Sequence, residues 1–190
     1  MNANDTLQLR GAVRIVHIPG NCMGKDPCQP VNPSLVDQMQ LRGEDVRVTP
    51  HYENIVVDDG LAILRALIGF GENFPLTGAF GATDINQLKI STMKIGNASS
   101  PSVPSGTDTD ISITPAYTIP FVSFFYPTQF SVTMVGVVPQ AQASLDGVGI
   151  TEEGSFALNG AMLARVTFPP EVKIPTHALQ FEHSITMARP

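Results

Sequence analysis

The chain closes on two segments that alternate apolar and polar residues. Leu163-Ala164-Arg165-Val166-Thr167-Phe168-Pro169-Pro170 comes first, and Leu179-Gln180-Phe181-Glu182-His183-Ser184-Ile185-Thr186-Met187 follows. A two-residue period sends successive side chains to opposite faces, so each segment predicts a half-buried strand. Pro169 and Pro170 read as the start of a stiff link through Glu171, Val172, Lys173, Ile174 and Pro175. The pair is expected as neighbours in an antiparallel sheet.

More strand signal precedes them. Lys89–Ile95, Tyr117–Tyr126 and Gln129–Val138 are rich in β-formers, and Pro127 and Pro139 punctuate them. Gly96 to Gly106 is turn chemistry throughout. One helix stands out at 59–68. Asp58 or Asp59 can cap it, Leu61, Leu64, Leu67 and Ile68 share a face, and Gly69 is the expected terminator. Five or more strands after one helix predict a mostly β fold, an antiparallel jelly-roll-like β-sandwich.

Residues 1–57 read differently. Ala12–Ile18 and Asp45–Thr49 are short strand-like runs, and Pro19, Pro27, Pro30 and Pro33 crowd the stretch between them. Proline lacks an N–H and resists both helix and central strand. The expected organisation is an extended N-terminal arm over 1–57 and a β-sandwich body over 58–190. The arm would lie on its own body or on a neighbouring subunit; a loose terminus is the plainer alternative.

Composition narrows the function classes. Of 190 residues only 15% are charged, against ~25% in typical domains. That fits burial in a larger assembly, and equally a Ser/Thr-rich surface. The net charge is −6 without a Lys/Arg cluster, which argues against nucleic-acid binding. Without a long apolar run, no membrane span is expected, and Met1–Arg10 lacks the apolar stretch of a signal peptide. The chain is expected to be made in a cytoplasm. Cys22 and Cys28 are too isolated for a zinc site; free thiols and a late disulfide both stay open.

Catalytic or metal-binding residues are not expected. His17, His51, His177 and His183 form no i, i+2 or i, i+4 pair, and His183 sits on the apolar face of the last strand. Asp108 and Asp110 lack the further oxygen ligands of a calcium loop and read as a hydrogen-bonded turn. Glu152 and Glu153 are adjacent on a strand, so they face opposite ways and cannot act as a pair. Gly69-Phe70-Gly71 lacks the third glycine of a dinucleotide fingerprint. No cofactor is expected, and the protein reads as no enzyme.

Taken in order, several segments form a pattern. They are the capped helix at Asp59–Leu67, Ile90-Ser91-Thr92-Met93-Lys94-Ile95-Gly96, Pro104-Ser105-Gly106-Thr107-Asp108-Thr109-Asp110-Ile111, Gly149-Ile150-Thr151-Glu152-Glu153-Gly154, and the closing strands. The chain over about 58–188 resembles a group of tailed-bacteriophage virion proteins. Members often carry an aromatic residue where His183 stands, and the arm is outside the shared pattern. The resemblance implies a virion structural protein in one of several places: capsid decoration, neck and collar, or the base of tail fibres. The leading expectation is a capsid decoration (cement) protein that forms a trimer or another symmetric homo-oligomer and binds across major capsid protein subunits. The alternative is a neck, collar or baseplate component that anchors tail fibres.

Overall fold

A computed structural model describes residues 8–20, 29–68, 84–112 and 117–188. Nine strands and two α-helices occur among them. In chain order they are β1 (Gln8–Pro19), α1 (Pro33–Leu41), β2 (Arg47–Val48), β3 (Tyr52–Val56), α2 (Asp58–Ile68), β4 (Ile90–Gly96), β5 (Tyr117–Thr128), β6 (Ser131–Val138), β7 (Gly149–Ala157), β8 (Met162–Val172) and β9 (His177–Ala188).

The strand order is β2-β1-β3-β8-β7-β4-β5-β6-β9, and β1 also pairs with β9. That last pairing closes the ladder. Eight strands form a closed antiparallel β-barrel and β2 is a ninth strand beside β1, so the fold is not a jelly-roll sandwich. The physical reason lies in β9. Its alternation shows that it is half-buried but not which strands flank it. It is hydrogen-bonded on one side to β6, from Ser131↔Thr186 to Val138↔Leu179, and on the other to β1, from Gln8↔Ala188 to Pro19↔His177. Paired on both sides, β9 presents no open edge along the stretch it shares with β6 and β1.

The same pairing overturns the extended arm. β1 takes part in the ring along its whole length, and Val13, Ile15, Val16 and Ile18 are fully buried. Asn32 and Pro33 open a helix rather than prolong a loop. The Asn32 side chain accepts the Ser34 N–H at 3.0 Å, and Pro33 takes the first helical position, where its missing N–H costs nothing. Gly43, at φ +73°, ends the helix, with its N–H on the Gln40 carbonyl at 3.0 Å. The joining loop also moves: β8 runs through Pro169 and Pro170 to Val172, and the link to β9 is Lys173–Thr176.

By packing, the chain divides into two units, residues 1–53 with 122–147 and 172–190, and residues 54–121 with 148–171. In the first, Val36 and Met39 of α1 pack with Val16, Ile18, Val135, Val137 and Ala178. In the second, two small clusters form: Ile63 with Leu88 and Ala157, and Val57 with Ile111, Phe156 and Met162. The face of α2 differs from the expected one. Gly60 and Ile63 point inward while Leu61 is half exposed; the side chains of Leu67 and Ile68, and Gly69, lie outside the described residues. The cause is close approach. A Cβ on Gly60 would fall 2.0 Å from the Leu163 carbonyl oxygen, so only glycine lets α2 lie so near β8.

Candidate functional site

Among the described residues, several buried ionisable groups fall into separate internal networks. In the second unit Arg165 on β8 is almost completely buried. Its Nη2 donates to Glu152 Oε2 at 2.8 Å, and its Nη1 to Asp108 Oδ2 at 2.7 Å and Ser102 Oγ at 3.0 Å. Nη2 also donates to the Ser102 carbonyl at 3.1 Å and to Ser112 Oγ. The Ser112 N–H returns to Glu152 Oε2 at 2.9 Å. One guanidinium thus ties the loop carrying Ser102, Asp108 and Ser112 to β7 and β8. Burial alone would raise the Asp108 carboxyl. The Ser105 N–H at 2.9 Å and Arg165 outweigh it and hold the group below its ordinary value.

Asp108 and Asp110 therefore serve different partners. Asp110 binds Lys94 Nζ at 2.8 Å, and that ammonium lies 4.2 Å from the Phe156 ring centroid. Glu152 and Glu153 are both fully buried, and only Glu152 meets Arg165. Glu152 Oε1 and Arg165 Nε are buried without a hydrogen-bond partner in this network.

A second network holds α1 in the first unit. Arg14 on β1 bonds Asp37 at 2.7 Å and Glu182 at 2.6 Å. Gln180 donates to Glu182 Oε1 at 2.9 Å and to the Val31 carbonyl at 2.8 Å, and accepts the Val31 N–H at 2.8 Å. These bonds explain why β9 is buried on both faces: segment 31–37 covers its polar side. Burial pushes the Glu182 carboxyl up, and outweighs Arg14 and Gln180, which push it down. A raised carboxyl binds its proton in the folded state before the unfolded state does. Stability from this group should thus rise as pH falls through the window between its ordinary and raised values. Glu182→Gln is expected to lose that rise, which thermal melts across mildly acidic pH would read; an unchanged slope would contradict the assignment.

The histidines are dispersed. His183 is fully buried beside Leu179, Phe181 and Ile185, opposite Val13 and Met134. His177 Nε2 stands 3.4 Å from Asp45, His17 is buried on β1, and His51 is exposed. Lys173 is fully buried on the Gln140 carbonyl at 2.9 Å and on Asp146. No group of three or more His, Cys, Asp or Glu gathers among the described residues; Cys22, Cys28 and Gly69-Phe70-Gly71 lie outside them. No helix among the described residues is long and apolar enough to cross a membrane.

The described residues also offer a surface. A groove of about 390 Å³ runs between α1 and β5, lined by Arg14, Pro33, Asp37, Phe125, Tyr126 and Pro127 among others. Arg14 is committed to its carboxylates and Asn32 to capping α1, so the groove offers mainly rings and prolines. Beside it Val122, Phe124 and Tyr126 alternate along one face of β5, with 43%, 43% and 75% of each exposed, and Phe130 follows at 55%. No family model, curated protein or solved structure matches the chain.

Sequence reasoning missed this stripe, though a signal was there. Between Asp110 and Asp146 the chain has no Asp, Glu, Lys, Arg or His at all. An alternating aromatic strand inside an uncharged run marks an apolar strand face. Arg165 was likewise legible as a lone cation within Leu163-Ala164-Arg165-Val166, a setting in which burial demands a partner.

Proposed function

We propose that the chain is a structural protein of a bacteriophage virion, a capsid decoration protein that works by contact and not by catalysis. The contact role is carried by one observation: Val122, Phe124, Tyr126 and Phe130 expose apolar surface while Arg165, Lys173, Arg14 and Glu182 are spent on internal pairs. The virion setting is supported by the ordered segments over 58–188. With residues 8–20 and 29–57 built into the fold, attachment is assigned to this surface and not to an arm.

Quantitative mass spectrometry of purified particles tests the reading. Decoration of an icosahedral head requires on the order of hundreds of copies per particle, following the symmetry of the shell. About a dozen or fewer would move the chain to a neck, collar or baseplate position. Absence from particles in which the capsid protein is abundant would overturn both.

A further inference from the structure

We propose that residues 31–41 form a strap that opens on its own from β1 and β9, and that a proton taken up beneath it on Glu182 favours the closed form. This goes beyond the proposed function and does not depend on it. Two kinds of contact close the strap. Val31, Val36 and Met39 pack on Val16, Ile18, Val135, Val137 and Ala178. Around that seam the bonds are polar. The Gln180 side chain meets Val31 as a strand backbone would, donating to its carbonyl and accepting its N–H, each at 2.8 Å. Arg14 reaches Asp37 at 2.7 Å and the Pro33 carbonyl at 3.4 Å.

The charges under the strap do not balance. Arg14 is one cation serving two carboxylates, Asp37 at 2.7 Å and Glu182 at 2.6 Å. Asp37 is the only carboxylate of the strap and is 59% exposed, so water screens it. Glu182 is 3% exposed beneath the strap. One negative charge is left over, and it falls on the group that water does not reach. A proton on Glu182 removes it. Other ionisable groups stand off. On β9 His183 points to the opposite face, and β6 sets Val135 opposite Glu182. On β1 Arg10 lies beyond Ala12 and is exposed, and Tyr126 lines the groove beside Arg14 and Asp37. Burial raises the Glu182 carboxyl, Arg14 lowers it, and Asp37 raises it further.

Opening the strap brings water to Glu182 and takes Asp37 away, so both influences that raise the carboxyl weaken. The closed strap therefore binds the proton more tightly than the open one. By linkage, protons close the strap, and it opens more often as pH rises through the raised value. The apolar seam sets how rare opening is, and the proton modulates it. Opening bares the Val16, Ile18 and Val135 surface while β1 and β6 stay paired with β9.

Amide hydrogen exchange of the full chain, corrected for its intrinsic pH dependence, is the test. The Val31 N–H reports directly, because its partner Gln180 lies on β9. It should exchange faster than the N–H groups of Phe181, Glu182 and His183, and with a weaker dependence on added urea. Its opening constant should rise about twofold or more from mildly acidic to neutral pH. In Glu182→Gln, a neutral side chain of the same shape, that rise should vanish. Asp37→Asn, at an exposed position, should make it smaller, and repeats the test should Glu182→Gln fold poorly. A Val31 N–H that exchanges only together with the β9 amides, at their rate and urea dependence, overturns the strap. A wild-type opening constant that does not change with pH overturns the proton linkage, as does an undiminished rise in either folded variant.

Discussion

Replacing Arg165 with Met is expected to destabilise the protein by about 3–5 kcal/mol, the range for stripping one partner from a buried ion pair. The loss is not that of the guanidinium's own packing, which Met largely replaces. It comes from Glu152, which is fully buried and would be left with only the Ser112 N–H on Oε2. The loop holding Ser102, Asp108 and Ser112 would be released as well. Urea unfolding monitored by circular dichroism measures this directly. The double variant Arg165→Met with Glu152→Gln should recover part of the loss, because a neutral amide is far cheaper to bury than a lone carboxylate. A cost below about 1 kcal/mol for the single variant would mean that Glu152 is not held as described. The acid limb should change too. Asp108 has a lowered carboxyl, so its contribution is fully present above the ordinary carboxylate range and is lost as pH falls through the lowered value. Without Arg165 that lowering shrinks, and the acid-dependent part of stability becomes shallower.

Gly60→Ala should also destabilise, against the usual sign. In an ordinary helix interior the change gains about 0.5–1 kcal/mol. Here the new Cβ would sit 2.0 Å from the Leu163 carbonyl oxygen and 2.8 Å from its carbon, both backbone atoms that cannot swing away. The same carbonyl accepts the Val57 N–H at 3.1 Å at the start of α2, so the helix and β8 are joined at the point of the clash. To make room α2 must lift, which opens the Ile63, Leu88 and Ala157 cluster. A net loss of about 1–3 kcal/mol or more is expected. Leu61→Ala, one residue on and half exposed, should stay within about 0.5 kcal/mol. Thermal melts of the two variants side by side decide the matter, and a neutral Gly60→Ala would place α2 further from β8 than described.

The sequence made the individual strands legible because alternation is a local signal. Leu179 to Met187 shows its faces plainly. Closure is not local: nothing in β9 says that its second neighbour is β1, at the far end of the chain. Ala12–Ile18 carries the same alternating signature, yet the prolines that follow it suggested a segment without structure of its own. They concealed α1, although Asn32-Pro33-Ser34 is a recognisable helix start. The candidate site followed the same logic. Of the groups weighed singly, Asp108 and Glu152 are brought together on Arg165, a cation that none of their spacings pointed to, while Asp110 goes to Lys94 and His183 is buried on β9. The uncharged stretch around β5 was visible only when the spacing of charges was read as a feature.

The seam between β1 and β9 has a consequence for biosynthesis. The strand made first among those described must wait for the one made last before the ring can close. During that interval β1 and β6 each present an unsatisfied side along which β9 will later bond. Contacts so distant along the chain are slow to form, and a waiting strand invites pairing with the wrong chain. Crowded polysomes producing many copies at once are therefore the setting in which this protein is most exposed to misassembly, and completion of β9 is the step that ends the hazard.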